Sequence, residues 1–234
     1  MITREMRALG NTRLAAAQQG FYQTQPGGYG AGDKFLGIRV PLSRSVATEH
    51  QGLAISEIRK LAQSPFHEIR FVALVIVVTQ FKKAKDQRVR TALFNLYLSM
   101  VRQGGTVNNW DLVDASAPYM GAYLIDQPDH MSLLLKMAKN KDLWVQRTAM
   151  IFTFAFIREG DNKPTLVLAQ EFLDHPHDLM HKAAGWMLRE VGKKRQADLV
   201  AFLRKNSSAM PRTMLRYSIE KFPEGARKKW LANS

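Results

Sequence analysis

Trp110 and Asp114 stand four residues apart in the run Asn109-Trp-Asp-Leu-Val-Asp114. On a helix that spacing puts an indole and a carboxylate one turn apart on the same face. An ionised acid beside an aromatic surface can stabilise positive charge that develops between them. Leu112, Val113, Ser116, Met120, Tyr123 and Leu124 fall on the other side and form a core stripe. Pro118 has no N–H for the Asp114 carbonyl, so the helix is expected to bend or restart there. Asp111 is rotated about 60° from Asp114 by the helical twist and suits a first-turn acid that stabilises the helix.

Further along, Lys182, Trp186, Arg189 and Lys193 occur at i, i+4, i+7 and i+11, a basic face carrying an indole opposite Ala183, Ala184, Met187, Leu188 and Val191. Cations of this kind hold phosphates, and an indole packs on sugar or base. Arg212 and Arg216 extend the surface after the turn at Met210-Pro211. Trp144 and Arg147 are one turn apart again; Trp144 reads as core and Arg147 as functional. His175, His177 and His181, with Asp174 and Asp178, have some metal-ligand character, but Asp174-His-Pro-His-Asp178 is equally good turn and N-cap material. No HExxH is present, so no metal and no cofactor are expected. Gly28-Tyr-Gly-Ala-Gly32 has neither a preceding strand nor a Gly-Lys-Ser/Thr, and reads as a mobile loop rather than a phosphate cradle.

The elements that carry these residues read as helices separated by short breakers at Ser64-Pro65, Gly104-Gly105, Gln127-Pro128, Gly160-Asp161 and His175-Pro176. Phe71–Val78 and Ile151–Ile157 have strand-like composition inside helix-compatible flanks and are taken as buried helices. Segments around Arg70, Asp111, Arg147, Lys182 and Arg212 repeat an aromatic or large apolar residue, a basic or polar one, then small apolar ones. Their spacing is close to the period of about 40 residues of HEAT-type helix pairs. The expectation is an all-α, HEAT-like helical-repeat solenoid with a basic concave face, a single domain over 1–234 with a Gly-rich loop at 25–34.

The net charge is +14, shared as +7 by each half of the 234 residues, and about half of the cations are arginine. Nucleic acid is the first expected partner of such a field, and an anionic membrane surface the second. Without cysteine there is no disulfide, thiol nucleophile or Cys-ligated zinc. The longest apolar run, Phe71–Val78, is too short to span a bilayer. The N-terminus lacks the apolar region of a signal peptide, so a soluble, cytoplasmic chain is expected.

Asn109-Trp-Asp-Leu-Val-Asp114, Leu143-Trp-Val-Gln-Arg147, the stretch from His177 to Lys193, Met210-Pro-Arg-Thr-Met-Leu-Arg-Tyr217 and Gly30-Ala-Gly-Asp-Lys-Phe-Leu-Gly-Ile-Arg-Val-Pro41 resemble the motifs of the AlkD-type DNA alkylation repair glycosylases. The resemblance runs from about residue 20 to 232, with the Gly-rich loop standing where that family's N-terminal region is variable. It implies a HEAT-like solenoid cradling duplex DNA, a catalytic acid at Asp114, sugar-contacting indoles at Trp110 and Trp186, and a phosphate-contacting Arg147. Lys182, Arg189, Lys193, Arg212 and Arg216 would bind DNA. The implied activity is a monofunctional glycosylase that removes cationic N3- or N7-alkylpurines from double-stranded DNA, acting as a monomer. Some relatives of this fold bind damaged or branched DNA without base excision, and that is the alternative.

Overall fold

The computed structural model describes residues 1–102, 104 and 106–232, and among them about 70% helix in fourteen α-helices with no strand. The chain divides into two compact units, Met1–Ser116 and Ala117–Ser234. The first holds α1 (Ile2–Ala8), α2 (Thr12–Phe21), α3 (Val40–Glu49), α4 (Ile55–Ala62), α5 (His67–Lys83), α6 (Gln87–Arg102) and most of α7 (Trp110–Met120). The second holds a 3-10 turn (Gly121–Leu124), α8 (His130–Ala138), α9 (Leu143–Glu159), α10 (Lys163–Glu171), α11 (Asp178–Lys194), α12 (Gln196–Asn206), α13 (Arg212–Ser218) and α14 (Glu224–Ala232).

Each unit is organised around one helix that is apolar on every side. In the first, residues 67–78 of α5 are all buried beneath α3, α4 and α6. Its β-branched run Val75-Ile76-Val77-Val78 has modest helix propensity, and burial overrides it. In the second, α9 takes the same place against α8, α10 and α11. Both strand-like segments are therefore buried helices, as their charged flanks predict. The five repeat segments fall on α5, α7, α9, α11 and α13, every second helix of the chain.

Small residues set how closely helices approach. A Cβ on Gly185 would lie 2.6 Å from the Met214 carbonyl oxygen, so glycine lets α11 rest on the backbone of α13. Tyr97 on α6 reaches Ser116 on α7 through hydroxyls 2.9 Å apart, a fully buried bond that fixes one helix on the other. Leu112, Val113 and Met120 are wholly buried, each worth about 1.5–3 kcal/mol of transfer free energy.

Two local expectations change. Of the bend or restart expected at Pro118, the restart does not occur: helix α7 continues to Met120, where it tightens into the 3-10 turn. That turn runs against α9: a Cβ on Gly121 would stand 2.4 Å from the Phe152 carbonyl oxygen. The Gly-rich segment 25–34 is irregular, yet it is tied down rather than loose. Gly30 N–H donates to Gln23, Asp33 N–H donates to Gly30, and Asp33 itself is buried. The other breakers fall between helices; at Gly104-Gly105 the second residue lies outside the described residues.

Candidate functional site

Asn109 stands just before helix α7; its carboxamide oxygen accepts from the Trp110 N–H at 2.9 Å while its carbonyl accepts from Val113. The start places Trp110 and Asp114 half-buried, with Leu112, Val113 and Ser116 turned into the core. Trp110 is stacked near Tyr22, centroids 5.6 Å apart and planes at 23°, and meets Phe21 edge-on at 6.0 Å. Phe21 is otherwise 65% exposed, which leaves an accessible aromatic rim beside the indole.

Asp111 points into a polar cluster that pattern reading does not reveal. Its Oδ2 accepts from His67 Nε2 at 2.8 Å and from the Tyr22 hydroxyl at 3.2 Å, and its Oδ1 accepts from the Leu112 N–H. The other nitrogen of His67 donates to Asp33 Oδ2 at 2.9 Å. Asp33 also pairs with Arg70, whose guanidinium donates further to Ser64 O, Thr106 O and Asn108 Oδ1. Glu68 accepts from the N–H groups of Leu36, Gly37 and Ile38. Asp33, His67, Glu68 and Arg70 are buried, and each has the partner that burial demands, while the Asp111 side chain is 13% exposed.

Burial pulls the His67 imidazole down, but hydrogen bonds and charge from Asp111 and Asp33 outweigh it and raise the group to about 9. Burial pushes the Tyr22 phenol up, and Asp111 pushes it further, well above the usual tyrosine value. Burial also opposes ionisation of Asp33, but His67 and Arg70 hold its carboxyl below the usual range. The sequence carries one trace of it without naming the partners: His67, Glu68 and Arg70 open a helix too apolar to have a wet side, so each needs a buried partner.

The remaining candidates lie in the second unit. Trp144 is buried, as expected. Arg147 is buried too, 4% exposed, and its Nη1 donates to the Leu179 carbonyl at 2.5 Å, joining α9 to the first turn of α11. Trp186 is half-buried beside Phe154, centroids 6.2 Å apart. The basic stripe of α11 is interleaved with acids: Lys182 pairs with Asp178 at 2.8 Å, Lys193 with Glu190 at 2.9 Å, and Arg189 with Glu190 and Glu220. Arg212 donates to the Leu231 carbonyl at 2.5 Å, and Arg216 is exposed. Lys182, Arg216 and Arg227 line a groove of about 530 Å³ with Asp178, Thr213 and Glu220.

The histidines of 175–181 serve the backbone. His177 Nδ1 caps α11 by accepting from Leu179 N–H, His175 Nδ1 accepts from His177 N–H, and His181 Nε2 donates to the His175 carbonyl. Burial, then mutual repulsion, lowers the pKa of His175, and burial outweighs Asp178 in lowering that of His177. Among the described residues no group of three or more His, Cys, Asp or Glu side chains is placed to hold a metal ion. No helix among them is long and apolar enough to cross a membrane.

An all-α build, with the aromatic-and-cation segment recurring on alternate helices, defines a helical-repeat protein. The chain belongs to the DNA alkylation repair enzyme family, whose sequence profile matches residues 2–222. A predicted DNA alkylation repair enzyme from Enterococcus faecalis has a similar structure, at TM-score 0.72 and 14% identity over 92% of this chain and 97% of that one. That identity supports the fold alone. No curated protein shows a significant match. Family membership makes the chain an enzyme of alkylation repair, with DNA as its partner.

Proposed function

We propose that the chain is a monofunctional DNA glycosylase that excises positively charged N3- or N7-alkylpurines from duplex DNA. The observation that carries this reading is the start of α7 in a member of a DNA alkylation repair family. Trp110 and Asp114 are half-exposed on it one turn apart, while the neighbouring Asp111 is committed to His67 and Tyr22.

Glycosidases commonly need a second carboxyl group to protonate the leaving group. A purine alkylated at N3 or N7 already carries that charge. When its bond to C1′ breaks, the electron pair leaves with the base, which departs neutral, and positive charge grows on the deoxyribose. Asp114 stabilises that charge and aligns the attacking water; the water's oxygen bonds to C1′ and its proton passes to solvent. The reading assigns sugar contacts to Trp110 and Trp186, with cation–π attraction as the charge develops. Arg147, whose fork is already anchored on Leu179, takes a backbone phosphate. Lys182, Arg189, Lys193, Arg212 and Arg216 supply affinity.

The test is release of free 7-methylguanine or 3-methyladenine from duplex DNA under single-turnover conditions. Asp114→Asn should slow release at least about a hundredfold, the worth of one preorganised electrostatic group, with DNA affinity held or slightly raised. Release should persist in EDTA, and uracil, which carries no positive charge and would have to leave as an anion, should be a poor substrate. Tight binding with no base release by the native chain would identify a non-catalytic DNA binder. Near-normal excision by the Asn variant would remove Asp114 from the mechanism.

A further inference from the structure

We infer that His67 is a positioning residue for this reaction: as an imidazolium bridging Asp33 and Asp111, it locks the first turn of α7, and with it Trp110 and Asp114, in the reactive arrangement. The inference rests on the glycosylase reading of α7 and deepens it.

The geometry requires the charged ring. His67 faces a carboxylate oxygen from each nitrogen, at 2.9 Å and 2.8 Å. A neutral imidazole has one N–H and one lone pair, so one of the two contacts would set a lone pair against a carboxylate oxygen. Only the doubly protonated ring donates to both. The surrounding charges are balanced for it: Arg70 shares Asp33, and Glu68 is satisfied by three backbone N–H groups. The imidazolium is thus the cation that answers Asp111, whose other donors among the described residues are the Tyr22 hydroxyl and the Leu112 N–H.

Two links carry this bridge to the site. Asp111 follows Trp110 directly and precedes Asp114 by three residues in one helical turn. Tyr22 bonds the same carboxylate oxygen as His67 and lies against the Trp110 ring, while Phe35 stacks on both Tyr22 and His67. Loss of the His67 proton would convert one donor into a lone pair and release either Asp111 or Asp33. A displacement of about 1 Å at a reacting group costs on the order of a hundredfold in rate.

The groups facing His67 are Asp33 from the Gly-rich segment, Asp111 from α7 and Tyr22 after α2, with Glu68 and Arg70 next to them on α5. Of these, Tyr22 is raised well above the usual tyrosine range and Asp33 is held below the usual carboxyl range. The site should therefore lose its geometry as pH rises through about 9, the value to which the bridge lifts His67.

The experiment measures single-turnover release of 7-methylguanine from duplex DNA between pH 6 and 10, corrected for uncatalysed loss, together with amide hydrogen exchange of residues 111–115 in the free protein. Wild type should show a rate that falls above about pH 9. His67→Gln, which offers one amide in place of two N–H donors, should be at least about tenfold slower at pH 7, lack that high-pH fall, keep its duplex Kd within about twofold, and exchange its α7 amides faster. If His67→Gln does not fold, Asp33→Asn replaces it and should move the high-pH fall downward by about a unit. A high-pH fall that is the same in wild type and variant, or unchanged exchange in α7, overturns the inference. If wild type releases no base, the glycosylase reading fails by itself, and the exchange arm still decides whether His67 anchors α7.

Discussion

At the scale of single residues, the chain separates two acids three positions apart. Asp114 is half-exposed on the first turns of α7, whereas both carboxylate oxygens of Asp111 accept hydrogen bonds, from His67, Tyr22 and a backbone amide. The same bridge makes stability depend on pH in a defined direction. His67 moves from an ordinary 6.5 when unfolded to about 9 when folded. Its contribution is therefore fully present below 6.5 and is lost as pH rises through about 9. The shift corresponds to roughly 3 kcal/mol at the energy of one pKa unit. Urea unfolding at pH 6 and pH 10 should show a loss of that order in the native chain and a smaller one in His67→Gln. Equal losses in both would place the titrating group elsewhere.

At the scale of elements, α11 is both a packing unit and a charged surface. Its Gly185 contact with α13 and the Arg147 bond from α9 hold the helix in place. Lys182, Arg189 and Lys193 are each matched by an acid: Asp178, Glu190 or Glu220. The pairs made by Lys182 and Lys193, whose side chains are 39% and 45% exposed, contribute about 0–1 kcal/mol to stability, so they are readily exchanged for phosphate contacts. Removing an acid partner should then free a cation at little cost. Glu190→Gln, which releases Lys193 and leaves Arg189 paired with Glu220, should tighten binding to lesion-bearing and plain duplex alike and make the salt dependence steeper by up to about one unit of log–log slope. An unchanged slope in fluorescence-anisotropy titrations would put this face of α11 away from DNA.

At the scale of the whole molecule, the excess of +14 is spread evenly, +7 on each half, rather than collected in a tail. Counterion release makes the affinity of such a chain for undamaged duplex fall steeply with salt, about 0.9 log unit per phosphate neutralised. If Lys182, Arg189, Lys193, Arg212 and Arg216 each reach a phosphate, the log–log slope is roughly −4 to −5. A slope near −1, measured between 50 and 200 mM salt, would mean that the charge serves solubility rather than DNA binding.

Much of this was legible in the order of residues because it depends on near neighbours. The period of about 3.6 marks the wet and dry sides of α11, the apolar runs of α5 and α9 mark central helices, and a four-residue step puts Trp110 over Asp114. Spacing also shows the repeat, since its five segments land on alternate helices. The His67 bridge was not legible. Its partners come from 34 and 44 residues away, and Tyr22 reaches Asp111 across 89. Nothing local distinguishes a first-turn helix acid from one that receives a buried imidazolium, or a glycine-rich loop from one pinned by Asp33. Nor does spacing show that the cations of α11 meet Glu220 from beyond α13. Helical periodicity is written in steps of three and four, whereas charge pairing in a buried cluster is decided by which distant segments packing brings within 3 Å.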